Sequence, residues 1–301
     1  MGVFIAQYFG KKNFEMIRRI LGKLVLAGIT LSLIFSIITF IGAEKIIGIF
    51  TKEPQVLAIG VSYIRRALFS YTFYAISFSV GFCLRAMGLT RIPMISASIG
   101  VTANTFFNYC LIYGNFGFPR LEERGAAIAT VMARMLELST ILFIVYKKDF
   151  NLKGNLQSYL NLPKALMKEI IKISTPVFLT EMLWILGVVS LSVAYSRLGT
   201  TQAACVQIAD IITAISSVLF MGISNSASVI IGHTIGKGDK NKVIAYSRKI
   251  LQIAFGMAIV SLMLVQGLTN HCFIISSSTR NSHNGCKNYE NCRYVCFLKN
   301  D

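Results

Sequence analysis

LVLAGITLSLIFSIITFIGA, residues 24–43, contains no charged side chain. At 1.5 Å per residue, about twenty apolar residues suffice for a helix to cross a hydrocarbon core ~30 Å thick. Six comparable stretches follow, at residues 67–84, 92–113, 126–146, 173–195, 203–231 and 250–268. They do not alternate in segments of about ten residues, as a membrane β-barrel would require. The sequence therefore predicts an all-α, polytopic bundle of seven spanning helices, preceded by a helical stub at residues 1–9.

The distribution of charge predicts how the helices are oriented. Charged residues make up only 14% of the chain, against about 25% in soluble proteins. The formal net charge is nevertheless +17, and the basic residues concentrate in alternate connections. The positive-inside rule therefore predicts four cytoplasmic connections, at residues 11–23, 85–91, 147–172 and 237–249. We expect a multi-pass protein of the cell membrane whose surroundings are the lipid bilayer, and no nucleic-acid partner.

A short repeat indicates two homologous halves. Residues 5–13, IAQYFGKKN, return in outline at residues 231–239, IGHTIGKGD, with an offset of 226. The identical pairs are Ile5/Ile231, Gly10/Gly236 and Lys11/Lys237. Each copy ends an apolar stretch and opens a basic one, which is typical of equivalent positions in repeated halves. Since two spans precede the second copy and only a stub precedes the first, we expect most of two helices to be missing before Met1.

This division predicts four parts along the chain. They are a partial N-terminal lobe at 1–146, a cytoplasmic linker at 147–165, a partial C-terminal lobe at 166–268 and a polar tail at 269–301. The tail holds four of the seven cysteines, and with His271 and His283 a metal site is conceivable. Its cysteine spacing matches no common zinc pattern. We therefore predict no metal site and interpret the tail as foreign to the fold, such as an out-of-frame C-terminus.

Glu181 is the sharpest candidate functional residue, because polar groups within spans are costly in lipid and usually face a cavity or a partner. It follows Lys172 by nine residues, or about 14 Å along a helix, and so lies near the bilayer midplane. Pro176 lacks a backbone donor and favours a kink or loosened turn just before it. A midplane carboxylate beside a bend suits reversible protonation or Na⁺ ligation. The alternative is a structural hydrogen bond to a neighbouring helix.

Four further polar residues are candidates for lining a cation or substrate cavity. Asn104 and Asn108 are four residues apart and share a helix face. Their carbonyl oxygens suit cation ligation, although they serve equally well to join helices. Thr130 follows GAAIA, a small-residue run suited to close helix packing. Asp210 either lines a cavity or is solvated near the outer interface.

Arg134 and Glu137, three residues apart, are predicted to form a structural ion pair. The chain has no GxSxG, Walker or HExxH pattern and contains only three histidines. We therefore expect no enzymatic activity, no catalytic residue and no cofactor.

Segments spread in order over residues 5–260 resemble the multidrug and toxic compound extrusion (MATE) transporters. The segments in the first half are LRAMGLTRIPM (84–94), NTFFNYCLIYGNFGFP (104–119) and GAAIATVMAR (125–134). Those in the second half are STPVFLTEMLW (174–184), YSRLGTTQAACVQIA (195–209) and MGISNSASVIIGHTIGKGD (221–239). The resemblance implies a twelve-helix, two-lobed antiporter that exports cationic, lipophilic compounds in exchange for Na⁺ or H⁺.

The resemblance also ranks the candidate residues. Glu181 falls where some members have an acid on the seventh helix, in a C-lobe cation site. Asn104, Asn108 and Thr130 fall where others build an N-lobe cation site on the fifth and sixth helices. The second position of that pattern is an acid in those members, and Asn108 replaces it here. We therefore expect Glu181 to be the coupling carboxylate.

Three functions stay open. The first is a cation-coupled drug antiporter, and the second is a flippase for a lipid-linked saccharide of the same superfamily, which a basic central cavity would favour. The third is a non-functional fragment of a transporter gene. The family pattern stops near Gly267, so helices one, two and ten to twelve are expected to be missing. We expect the intact parent to be an antiporter, and this chain to be a monomer that is inactive by itself.

Overall fold

The computed structural model describes residues 1–282 except 52, 149, 151, 153–158, 160 and 199. Eight α-helices account for most of the described residues. They are α1 (Gly2–Gly10), α2 (Phe14–Phe50), α3 (Pro54–Ala86), α4 (Arg91–Tyr113), α5 (Glu122–Lys148), α6 (Lys164–Leu198), α7 (Thr200–Gly236) and α8 (Lys240–Ser282). One 3-10 turn, Asn115–Gly117, lies between α4 and α5. The described part of the chain contains no strand, which confirms the all-α prediction.

Each of the seven predicted spans lies inside one of the helices α2 to α8, and the predicted stub is α1. Among the described residues, five segments are long and apolar enough to cross a membrane: Phe14–Phe50, Pro54–Ala86, Glu122–Lys148, Lys164–Tyr195 and Asn241–Met263. Helix α4, with 23 residues, is also long enough at 1.5 Å per residue. Its threonines and asparagines make it less apolar than these five. The predicted polytopic helix bundle is therefore confirmed.

Helices α1, α3 and α7 end in similar tight turns. The residue with positive φ is Lys12 (58°) after α1, Gly88 (82°) after α3 and Gly238 (81°) after α7. After α3, the Leu89 N–H donates to the Leu84 carbonyl at 2.9 Å, the long bond of a Schellman cap. Glycine adopts this left-handed conformation without a steric cost, whereas the same conformation costs a residue with a Cβ, such as Lys12, about 1 kcal/mol.

The chain divides into two compact units. The first comprises Met1–Phe178 and Ser228–Asp239, and the second comprises Leu179–Ala227 and Lys240–Asp301. Buried apolar side chains of α1, α2, α3, α5 and α6 form the core of the first unit; among the most buried are Ile5, Ile17, Ile20, Leu84, Ile141 and Ile170. The predicted lobe boundaries at 146 and 166 remain a prediction.

Small residues bring α4 and α5 close together. A Cβ added to Gly125 would lie only 2.5 Å from the Leu111 carbonyl oxygen of α4. The alanines that follow on α5, at positions 127, 129 and 133, are also buried. The GAAIA run therefore packs tightly in the structure, as small residues in membrane helices commonly do.

Parts of the predicted linker and tail are described. Leu152 is buried in the core of the first unit, and the Tyr159 hydroxyl donates a hydrogen bond to its carbonyl oxygen. Helix α8 continues through residue 269, where the predicted tail begins, to Ser282. His283 and the last three cysteines, at positions 286, 292 and 296, lie outside the described residues. The interpretation of the tail as foreign to the fold remains a prediction.

Candidate functional site

The two asparagines of α4 contact each other. Asn108 Nδ2 donates to Asn104 Oδ1 at 3.1 Å, so the two residues do share a face, and both are half-buried. The second acceptor, Asn108 Oδ1, is buried and receives no hydrogen bond from the described residues. The Thr130 hydroxyl donates to the Ala126 carbonyl of its own helix at 2.9 Å. The pair therefore leaves one buried acceptor, Asn108 Oδ1, without a hydrogen bond from the described residues. The Thr130 hydroxyl bonds to its own helix instead.

Arg134 and Glu137 form an ion pair at the junction of three helices. Arg134 Nη1 lies 2.6 Å from Glu137 Oε2, and Ser77 of α3 donates to Glu137 Oε1 at 3.2 Å. From α4, Gly100 packs so closely that an added Cβ would lie 3.2 Å from the carboxylate. Glu137 is buried, whereas Arg134 is partly exposed. The carboxylate is thus fixed from three sides, and only its cationic partner is partly open.

An aromatic ladder on α3, Tyr74, Phe78 and Phe82, begins at this ion pair. The Arg134 guanidinium carbon lies 4.6 Å from the Tyr74 ring centroid. The Tyr74 and Phe78 centroids are 5.9 Å apart, and those of Phe78 and Phe82 are 6.3 Å apart. We did not predict the ladder from the sequence. The signal for it was present as aromatic residues at four-residue spacing, within a segment that we interpreted only as apolar.

The two described acidic residues of the second unit, Glu181 and Asp210, are exposed. Glu181 lies on α6 in the same continuous helix as Pro176, and no ion pair or hydrogen bond involves it in the described part of the chain. Asp210 lies on α7 and is also exposed. Among the described residues, no group of three His, Cys, Asp or Glu side chains is arranged to hold a metal ion.

The two copies of the sequence repeat pack against each other in the first unit. A Cβ added to Gly10 would overlap the His233 carbonyl oxygen and lie 3.0 Å from Gly236 Cα. A Cβ added to Gly236 would overlap the Gln7 carbonyl oxygen and lie 3.0 Å from Gly10 Cα. With the offset of 226, Gly10 corresponds to Gly236 and Gln7 to His233, so these contacts are reciprocal. We call this contact the repeat crossing.

The backbone around the repeat crossing repeats as well. Lys11 N–H donates to Gln7 O at 3.1 Å, and the equivalent bond, from position 237 to 233, is also 3.1 Å long. Lys12 N–H donates to Phe9 O at 2.9 Å, and its equivalent, from 238 to 235, measures 3.0 Å. The sequence carried a signal for this contact that we did not use. Both copies contain small residues four apart, at Ala6/Gly10 and Gly232/Gly236, the spacing that lets membrane helices approach closely.

His233 adds contacts beside the repeat crossing. Its ring centroid lies 4.8 Å from that of Phe9, and its Nε2 lies 2.9 Å from the Ala86 carbonyl oxygen. A carbonyl oxygen only accepts, so Nε2 carries the hydrogen. The end of α7 is thereby joined to the end of α3 as well as to α1.

A family model described as MatE matches residues 1–110 and 176–289, which together make up more than half of the chain. The chain belongs to the MatE family. Both repeat copies and Glu181 fall within the matched residues of this MatE protein, whereas Thr130, Arg134 and Glu137 do not. The match runs past Gly267, the expected end of the pattern, to residue 289.

Curated relatives agree with the MatE assignment. The chain is 26% identical over 262 residues to the probable multidrug resistance protein NorM of Thermotoga maritima, covering 85% of this chain and 55% of that protein. It is 25% identical over 256 residues to NorM of Agrobacterium fabrum, with the same two coverages. The MatE chain thus spans about half the length of the curated relatives it matches. The resemblance to MATE transporters is confirmed.

Solved MATE structures share the fold of this MatE chain. An outward-facing multidrug resistance MATE family transporter matches with a TM-score of 0.73 at 18% identity, covering 88% of this chain and 58% of that one. A MATE protein in the bent conformation matches with a TM-score of 0.67 at 19% identity, covering 86% and 60%. The protein is therefore a multi-pass protein of the cell membrane with a MATE-like fold.

Proposed function

We propose that this chain contributes the coupling carboxylate of a cation-coupled antiporter, in which cationic, lipophilic compounds leave the cell in exchange for Na⁺ or H⁺. Membership of the MatE family and similarity to proteins named for multidrug resistance support a transport role. The observation that carries the coupling step is Glu181, a carboxylate on the apolar helix α6 to which no described residue is paired.

The environment of Glu181 explains how it would couple two cations. A carboxylate in a membrane-spanning helix is costly when it is charged and has no partner. Binding a proton or Na⁺ removes that cost. Besides alternating access, antiport requires that the coupling ion and the organic cation weaken each other's binding, an effect that is reciprocal by thermodynamic linkage.

An equilibrium binding experiment tests this proposal without requiring transport. The purified chain in detergent is titrated with ethidium, an organic cation, at several Na⁺ concentrations and pH values. We expect Na⁺ or acidic pH to weaken ethidium binding, and Glu181→Gln to abolish that dependence. Glu169→Gln is the matched control, because Glu169 is an exposed carboxylate on the same helix. Its dependence on Na⁺ and pH should equal that of the unmodified chain.

Two results would contradict the proposal. One is ethidium binding that responds to neither Na⁺ nor pH in the unmodified chain. The other is a response that survives intact in Glu181→Gln, since the coupling carboxylate would then have to be another residue.

A further inference from the structure

Arg134 fills a position on the aromatic ladder that has the chemistry of a cation-binding site. We propose that Tyr74, Phe78 and Glu137 bind a planar organic cation, and that Arg134 is a tethered cation which the ligand displaces. This inference rests on the proposed function, because it names where the exported cation is held. Arg134 and Glu137 lie outside the residues that the family model matches.

The contacts of Arg134 define what a ligand must supply. Its guanidinium carbon lies 4.6 Å from the Tyr74 centroid, within the ~6 Å range of a cation–π interaction. Its Nη1 lies 2.6 Å from Glu137 Oε2. A guanidinium is a planar, delocalised cation with N–H donors, so a heterocyclic cation that carries an amino group, as ethidium does, meets both requirements. The exchange replaces each lost interaction with one of the same kind.

Glu137 keeps its place when Arg134 moves. The Ser77 hydroxyl holds the other carboxylate oxygen at 3.2 Å, and the close approach of Gly100 limits movement on the α4 side. Only 11% of the Glu137 side chain is exposed. A buried carboxylate without a cationic partner is strongly unfavourable. When Arg134 moves away, binding of another cation beside Glu137 is therefore favourable.

The ladder has exposed rings for a ligand and extends beyond the ion pair to Phe78, over which the Arg85 guanidinium carbon also lies, 5.6 Å from the ring centroid. Tyr74 is 43% exposed and Phe78 is 51% exposed. From Tyr74 to Phe82 the ladder follows two turns of α3, about 12 Å. This length suits fused aromatic rings with a delocalised charge better than a compact ammonium ion. Arg134 is itself partly exposed, and its long side chain can rotate away without moving the backbone.

A second arginine in the first unit provides a matched contrast. The Arg65 guanidinium carbon lies 5.4 Å from the Phe40 centroid, and Arg65 Nη2 lies 3.7 Å from Glu44 Oε1. An arginine, an aromatic ring and a glutamate therefore meet there, as they do at Arg134. Glu44, however, is 71% exposed, and a solvated carboxylate gains little from a cationic partner. Arg65 is not expected to compete with any ligand.

Ethidium binding to the purified chain, followed by its fluorescence, tests the site. Arg134→Gln should bind ethidium about tenfold more tightly, because the tethered cation no longer competes for the ring and the carboxylate. In that background, Tyr74→Leu and Glu137→Gln should each reverse the gain, whereas Tyr74→Phe should keep it. Arg65→Gln should bind like the unmodified chain.

Controls guard against variants that do not fold. Each variant must elute like the unmodified chain in size-exclusion chromatography before it is titrated. Should Arg134→Gln fail this criterion, Arg134→Lys replaces it. The lysine keeps the charge beside Glu137 but stacks less well on Tyr74, so a gain of about threefold is expected.

The outcomes separate this site from the proposed function. If folded Arg134→Gln and Tyr74→Leu variants bind ethidium like the unmodified chain while Glu181→Gln still removes the Na⁺ or pH dependence, the site is wrong and the antiport proposal stands. If no folded variant binds ethidium, both the site and the proposed class of substrate are wrong. A gain in Arg134→Gln that requires both Tyr74 and Glu137 supports the site.

Discussion

Replacing Gly236 or Gly10 with alanine should force α1 and α7 apart at the repeat crossing. A Cβ at either position overlaps a backbone carbonyl oxygen of the other helix and lies 3.0 Å from the opposite glycine Cα. Backbone atoms cannot rotate away as a side chain would. The helices must therefore separate by on the order of 1 Å, a repacking of the kind that overfilled cores undergo.

The expected cost follows from two opposing effects. Overpacking against backbone costs about 2–3 kcal/mol, and alanine is preferred over glycine within a helix by about 1 kcal/mol. Each single variant should therefore lose about 1–2 kcal/mol of unfolding free energy. One separation of the helices relieves both overlaps, so the double variant should cost less than the two singles together, by about 1 kcal/mol.

Thermal unfolding in detergent measures these changes through thiol alkylation. Cys83 is fully buried in the core of the first unit, near the end of α3, and becomes reactive only when that core opens. The midpoint for its alkylation, determined by mass spectrometry, should fall by about 2–8 °C in each single variant. Gly256→Ala is the control, because an added Cβ there meets nothing within 4 Å. Its midpoint should be unchanged or slightly raised.

The reasoning is wrong if Gly10→Ala and Gly236→Ala melt like Gly256→Ala. Strictly additive effects in the double variant would show that the two glycines do not share one contact, although each would still be tightly packed.

The same alkylation midpoint tests three further substitutions and one control. Lys12→Gly should stabilise the chain by about 1 kcal/mol, because it relieves a positive φ of 58°. Asn13→Ala should cost about 1 kcal/mol, since it removes the 3.1 Å cap at the start of α2. Its control, Thr90→Ala, should be nearly neutral, because Thr90 makes no side-chain cap. Ser77→Ala should cost about 1 kcal/mol through loss of its hydrogen bond to a buried carboxylate.

The spans were predictable from the sequence because lipid imposes one requirement on every residue that faces it. A spanning segment must be continuously apolar, and residues 24–43 show this without any tertiary information. The helix ends were not predictable in the same way. Helix α2 extends from Phe14 to Phe50, well beyond its apolar stretch. Outside the hydrocarbon, helix length depends on caps such as Asn13 and on packing, and neither leaves a continuous hydropathy signal.

The candidate site was predictable only as far as it depends on one helix. The Asn104–Asn108 and Arg134–Glu137 contacts follow from three- and four-residue spacing, and both are present. Contacts between helices were not predicted. The Ser77 bond to Glu137 joins residues 60 positions apart. Such a partner is fixed by the way α3 packs against α5, and no local pattern in the sequence encodes that packing.

The repeat crossing gives evidence about membrane orientation that is independent of charge. Gly10 contacts its own equivalent, Gly236, and a Cβ on Gly232 would lie 2.6 Å from the Cβ of its equivalent, Ala6. A residue that touches its own equivalent lies beside the two-fold axis relating the copies. Two such pairs occur one turn apart, so the axis runs along the helices. A rotation about that direction leaves both copies pointing the same way across the membrane, as in parallel repeats and unlike inverted ones. The basic residues that follow each copy, Lys11 and Lys237, must then lie on one side, which is what the positive-inside rule predicts for them.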